Sequence, residues 1–182
     1  IYMMAAGYYV PSSNRVPLAF RVSVTGDVEW QSQLANGSAD GEFKDVLPFG
    51  DDVYLAGYVN DATDTYNRGL IARWTSNGSR DWSYTFTNGT DNVWLNGIDL
   101  DGVNVLVGGN TTNDGVLANV QRDAVGGLGT VTVGSWAFGS FAGTLTNSSV
   151  ATKTIQNINN TNLTLAFTDT TLTLNQTPGT SR

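Results

Sequence analysis

The chain contains no cysteine and no histidine. The first absence removes disulfide frameworks, thiolate nucleophiles and redox pairs. Together they remove the Ser-His-Asp and Cys-His constellations and the usual zinc, haem and copper ligand sets. Charge is also scarce: 14% of the 182 residues are charged, and only nine are Lys or Arg. With a net charge of −7 and the basic residues scattered, nothing offers the clustered cations that nucleic acid or anionic lipid requires. No stretch approaches the ~20 consecutive apolar residues of a membrane-spanning helix. The chain opens at Ile1 with no signal-peptide pattern, which reads as a mature form or a piece of something longer.

What is present is a hydrophobic content of 40%, enough for a core, set among 21 Gly and abundant Asn, Thr and Ser. That composition is more typical of secreted and surface β-proteins than of cytosolic enzymes. It is also repetitive. "PLAFRVSVTGDVEWQSQL" at 17–34 and "GLIARWTSNGSRDWSYTF" at 69–86 follow one pattern in a register of 52 residues. The shift aligns Leu18 with Leu70, Arg21 with Arg73, Gly26 with Gly78, Trp30 with Trp82, Val46 with Ile98, Gly50 with Gly102, Val53 with Val105 and Gly57 with Gly109. A third, weaker copy starts at "GVLANVQRD" (115–123), and "TKTIQNINNTNLTLAF" (152–167) has the spacing of a fourth.

Within a unit the apolar segments are short, alternate with period two and are separated by Gly, Asn and Asp clusters, the pattern of strand after strand. The second unit predicts strands at 43–49, 53–59, 70–76 and 81–86, with almost no helix anywhere. Asn77-Gly78 between two alternating runs predicts a two-residue type I′ hairpin, with Thr25-Gly26-Asp27 in the same place one unit earlier. The fold class is therefore all-β: antiparallel, four-stranded, blade-like repeats of about 52 residues, either propeller-like or an open β-sandwich array. Residues 1–134 form the tandem repeats, and 135–182 a Thr/Asn-rich β segment packed on or completing the same domain.

"VYLAGYVNDATDTYNRGLIARWTSNGSRDWSYTF" resembles the SBBP-type repeat of extracellular β-propellers: an apolar strand ending in Gly-Tyr, a variable polar loop, an apolar strand, a polar-Gly turn and a Trp-centred strand. The resemblance covers about residues 2–123. It implies blades and an extracellular setting, and it supplies no catalytic residues. The third unit departs from the pattern after Asp123, where "AVGGLGTVTVGSW" replaces the Trp-centred strand.

"YMMAAGYYV" is the counterpart of "VYLAGYVN", so the first unit lacks its inner strand and the count predicts an unfinished ring. Its edge would be completed by the chain's own C-terminal strands, by further blades, or by a strand from a neighbouring copy.

Chemistry has few candidates. The two glutamates, Glu29 and Glu42, are the residues a carboxylate-dependent glycan enzyme would use; solvent-facing acids account for them more simply. Calcium needs only oxygen ligands, and Asp51, Asp52, Asp61, Asp64, Asp99 and Asp101 are weak candidates, since turn chemistry alone places Asp before Gly. Eight sequons, at Asn36, Asn77, Asn88, Asn110, Asn147, Asn159, Asn162 and Asn175, are glycosylation candidates. Trp30, Trp74 and Trp82 fit packing between sheets better than an exposed sugar platform.

These readings predict a non-enzymatic extracellular or cell-surface structural protein without a cofactor, assembling with copies of itself into a filament, tube or surface layer by β-strand addition. The donated strand comes from 1–10 or 162–175. The alternative is a glycan- or protein-binding module that is a fragment of a larger extracellular propeller.

Overall fold

The computed structural model describes residues 2–10, 13–35, 40–60, 65–122, 131–133, 136–141 and 144–147. Among them there is no helix, and 13 strands form three antiparallel sheets, none of them closed. The first sheet has the order β1-β2-β3-β13, built from β1 (Tyr2–Tyr9), β2 (Val16–Ser23), β3 (Val28–Ala35) and β13 (Thr144–Asn147). The second runs β11-β12-β7-β6-β5-β4, with β4 (Gly41–Phe49), β5 (Asp52–Asn60), β6 (Asn67–Thr75), β7 (Arg80–Asn88), β11 (Val131–Val133) and β12 (Trp136–Ser140). The third is β10-β9-β8, from β8 (Val93–Asp101), β9 (Asn104–Thr111) and β10 (Gly115–Gln121).

The expected meander from 43 to 86 is present as β4 to β7, each strand within three residues of its predicted bounds. It does not stand as an isolated four-stranded unit, because β12 adds to the outer edge of β7; in the first sheet β13 adds likewise to β3. Local patterning carries no signal for these pairings, which join Phe86 to Phe138 and Leu34 to Leu145.

The central strands of the six-stranded sheet, β5 to β7, are buried on both faces. On one, Val53, Leu55, Val59, Leu70, Ala72 and Trp74 pack with Ala19 and Leu34 of the first sheet. On the other, Tyr54, Ala56, Ile71, Trp82, Tyr84 and Phe86 pack with Val93, Leu95, Ile98, Val105 and Val107 of the third. Successive side chains of a strand point to opposite faces. A strand covered on both sides must therefore be apolar at every position, which is why "VYLAGYV" is a continuous apolar run.

The 52-residue register survives as geometry. Gly26 and Gly78 have φ of 89° and 81°. In each hairpin the glycine N–H donates three residues back, Gly26 to the Ser23 carbonyl and Gly78 to the Thr75 carbonyl. Ser23 N–H and Thr75 N–H reach the Asp27 and Ser79 carbonyls, which defines a three-residue loop followed by a bulge, with a register shift after Arg21 and after Arg73. The two-residue type I′ reading is thereby corrected: the left-handed φ falls on the glycine of a longer loop.

The two glycines differ in their surroundings. A Cβ on Gly26 meets nothing within 4 Å, whereas one on Gly78 lies 2.7 Å from the Trp30 ring. Gly26→Val is expected to cost about 1 kcal/mol from backbone strain alone, and Gly78→Val about 1–3 kcal/mol more from overpacking. Equal shifts in urea midpoint for the two variants would show that the ring contact is unimportant.

Candidate functional site

Three features have the geometry to do something: the brackets that join successive units, a charged cluster around Arg15, and the outer sheet edges.

The bracket residues are Asp40 and Asn92, 52 positions apart, each just before the first strand of a unit. Asp40 Oδ1 accepts the Arg15 N–H at 2.7 Å, and Asn92 Oδ1 accepts the Asn67 N–H at 2.8 Å. Their carbonyls accept the N–H groups of Asn60 (2.6 Å) and Thr112 (3.1 Å). Each bracket thus ties the start of one unit's third strand, β6 or its counterpart β2, to the end of the next unit's inner hairpin. The sequence reading overlooked this pair, although the same 52-residue shift aligns it.

At Asp40 the bracket carries charge. Arg15 Nη2 lies 2.6 Å from Asp40 Oδ2 and Nη1 lies 3.0 Å from Glu42 Oε2, while Lys44 Nζ holds Glu42 Oε1 at 2.6 Å. The Tyr58 hydroxyl donates to Glu42 Oε2 at 3.4 Å, and the guanidinium sits over the rings of Tyr8 and Tyr58. The hydrogen bond to Asp40 is the main reason that Arg15 holds its proton more firmly than a free arginine. Burial, then the Glu42 charge, push the Tyr58 hydroxyl up. Partial burial works against the Asp40 charge, but the side-chain and backbone hydrogen bonds from Arg15 and its positive charge outweigh it, so Asp40 titrates below the usual carboxylate range.

A carboxylate whose pKa is depressed on folding contributes stability that is present above its unfolded value of about 3.9 and is lost as pH falls through the folded value. Asp40→Ala is expected to destabilise by about 1–2 kcal/mol at pH 7, since it strands the Arg15 backbone N–H and leaves the guanidinium with Glu42 as its remaining carboxylate, and the deficit should shrink below pH 4. Asn92→Ala should cost about 1 kcal/mol at every pH. Urea titrations at pH 7 and pH 3 test the contrast, and a deficit at Asp40 that ignores pH would refute it.

The acidic candidates are dispersed. Asp52 is paired with Arg73 at 2.7 Å, Asp51 is exposed at the β4–β5 turn, Asp99 Oδ1 caps the Leu100 N–H, and Asp101 is exposed at the β8–β9 turn. Asp61 and Asp64 lie outside the described residues. Among the described residues no three Asp or Glu converge on a metal-sized site. Glu29 pairs with Arg21 in the first sheet, and Glu42 belongs to the Arg15 cluster with its side chain only 12% exposed.

Of the sequons, Asn77 sits in the β6–β7 turn, where its Oδ1 accepts from Thr75 Oγ1 and the Ser79 N–H. Asn88 donates to Asp91, and Asn110 accepts from Asn96. Asn147 is in β13; Asn36, Asn159, Asn162 and Asn175 lie outside the described residues. Trp74 and Trp82 are core residues, and Trp30 is held against the β6–β7 turn by its indole N–H to the Ser76 carbonyl at 2.6 Å.

Apart from the short edge strands β11 and β13, the edges divide into two kinds. β4 carries Glu42, Lys44, Asp45 and Pro48 and a bulge between Phe43 and Asp45. β8 carries Asp99 and Asp101 and a bulge between Leu95 and Gly97, and Asp45 Oδ2 accepts its Ile98 N–H at 2.9 Å. Charges, proline and bulges are the devices that stop an edge from pairing with another chain. β1 (YMMAAGYY) and β10 (GVLANVQ) have none of these devices. Met3 is 64% exposed on β1, and Leu117 is 80% exposed on β10.

No protein family, curated protein or solved structure matches this chain.

Proposed function

We propose that this chain is a non-enzymatic structural protein of the extracellular space or cell surface, and that copies of it add strand to strand into a filament, tube or surface layer. The contrast between edges carries this reading. The edges of β4 and β8 are defended by charge, bulge and, in β4, proline, whereas β1 and β10 offer uncharged, proline-free outer strands with large apolar side chains in water. Strand addition supplies main-chain hydrogen bonds along a whole edge, and a contact between unlike edges that does not close on itself propagates. The Asn/Thr/Ser-rich composition, the sequons and the resemblance to SBBP-type propeller repeats support the extracellular setting and blade-like packing of the sheets.

The test is assembly at micromolar concentration, followed by light scattering and negative-stain microscopy. Wild-type protein is expected to form extended particles, and the double variant Met3→Lys/Leu117→Lys, with one charge on each undefended strand, to abolish them with folded stability unchanged to within ~0.5 kcal/mol. A compact wild-type monomer would defeat the proposal in favour of the binding-module reading. That second reading draws on the polar cleft lined by Tyr66, Asn67, Arg68, Thr87, Gly89 and Asp91.

A further inference from the structure

Gly57 in β5 and Gly109 in β9 occupy one structural position. Each pairs on one side with the apolar residue that follows the unit's loop, Leu70 and Val116. On the other side each faces the residue just before a bulge in the preceding strand, Phe43 and Leu95. The bulge drives a backbone carbonyl onto the glycine, so that an added Cβ would lie 2.0 Å from the Glu42 oxygen at Gly57 and 1.9 Å from the Trp94 oxygen at Gly109. Glycine in a strand interior weakens it and marks a close backbone approach; here the approaching group is visible.

Gly7 is the same position in β1, since it pairs with Leu18, the counterpart of Leu70. Its other side is the outer edge of the first sheet, where no strand pairs among the described residues. β1 therefore carries the glycine that a bulged partner demands.

We infer that β1 is an acceptor for a bulged antiparallel strand, and that the strand it takes is residues 152–158 (TKTIQNI) of a neighbouring copy. The inference rests on the self-assembly proposal and departs from the sequence expectation of a donor at 1–10 or 162–175: the first of those segments becomes the acceptor, and the donor lies just before the second. The donor segment lies outside the described residues and has the spacing of β4: Lys153 stands where β4 has Lys44, Ile155 where it has Val46, and Ile158 where it has Phe49. In that register Thr152 faces Gly7 and Thr154 faces Ala6, as Phe43 faces Gly57 and Asp45 faces Ala56.

Chain length assigns the donor to another copy. Asn147 of β13 lies in one row with Ser32, Ala19 and Ala6 across the first sheet. A strand beyond β1 is four inter-strand steps from β13, about 19 Å at ~4.8 Å per step. The link from Asn147 to Thr152 spans at most about 18 Å when fully extended, and it would also have to climb over the sheet face. A strand supplied by a second copy has no such tether.

The chain's lack of cysteine makes the test clean. The double variant Ala6→Cys/Thr154→Cys is assembled, oxidised and run on a non-reducing denaturing gel, with Ala6→Cys/Ile158→Cys as the out-of-register control. Disulfide-linked dimers and higher ladders in the first variant, with at least tenfold less in the control, are the expected result. A disulfide closed within one chain, or no register-specific disulfide in particles that do form, overturns the inference and leaves self-assembly standing. Wild-type protein that never assembles removes the parent proposal and this one together. Should the cysteine variants fold poorly, Gly7→Val gives a second reading: the Cβ it adds would meet the incoming bulge, so assembly should fall at least tenfold, and unchanged assembly of a folded Gly7→Val chain counts against the inference.

Discussion

Replacing two adjacent glycines of β9 by valine is expected to give opposite results. A Cβ on Gly109 would lie 1.9 Å from the Trp94 carbonyl oxygen and 2.8 Å from the Leu95 Cα, both backbone atoms of a paired strand that cannot swing aside. A Cβ on Gly108 meets nothing within 4 Å. Gly109→Val should therefore cost about 3 kcal/mol or more, at or beyond the top of the range for overpacking, because β8 must separate from β9 to admit it. Gly108→Val should lie within about 1 kcal/mol of the parent, on the stabilising side, since it replaces a flexible residue by a good strand former. Gly57→Val should reproduce the loss one unit earlier, where the same atom would sit 2.0 Å from the Glu42 oxygen. Urea denaturation of the three variants measures this, and comparable stability of the Gly108 and Gly109 variants would mean that the bulge yields easily.

The second large effect is expected at Trp74. Its side chain is fully buried between the first and second sheets, edge-on to Trp30 at 6.0 Å and to Phe43 at 5.4 Å between ring centroids. Trp74→Ala should cost about 3–5 kcal/mol, through lost transfer energy and the cavity left behind. Trp74→Phe should cost far less, about 1 kcal/mol. The indole N–H is buried without an acceptor among the described residues, and removing an unsatisfied donor recovers its desolvation penalty. If Phe proved as damaging as Ala, indole shape rather than buried area would be what the site requires. With roughly 2–4 °C per kcal/mol for a chain of this size, thermal melts separate the two outcomes readily.

How far the residues announce this structure depends on the range of the interaction. Alternation, the turn glycines and the Trp-bearing strands specify β4 to β7 because each hairpin is a local decision. The segment Val53–Val59 reads as one more alternating strand, whereas it is covered on both faces by the two flanking cores, a setting decided by sheets distant in the chain. The loop at Asn77-Gly78 was legible as a turn and illegible as a turn type. Its length is set by the bulge opposite Arg73 and Trp74, which depends on the partner strand. Asp40 and Asn92 are polar residues in linkers, and their bracketing role appears only once the strand ends they join are adjacent in space. The carboxylate candidates illustrate the reverse limit. Asp52 pairs with Arg73, and Glu42 with Arg15, Lys44 and Tyr58, partners invisible in one dimension.

The return of β12 to β7 and of β13 to β3 has a consequence during synthesis. When the ribosome has delivered β3, the strand that will cover its outer edge has not yet been made, because the partner of Ala35 is Thr144. At 5–20 residues per second, that edge waits on the order of ten seconds for its cover, while β1–β2–β3 and then β4–β7 have already emerged and paired. Nascent chains on one message would meet through these temporary edges, and the route to the correct fold would then depend on translation speed or on a chaperone that shields the growing chain.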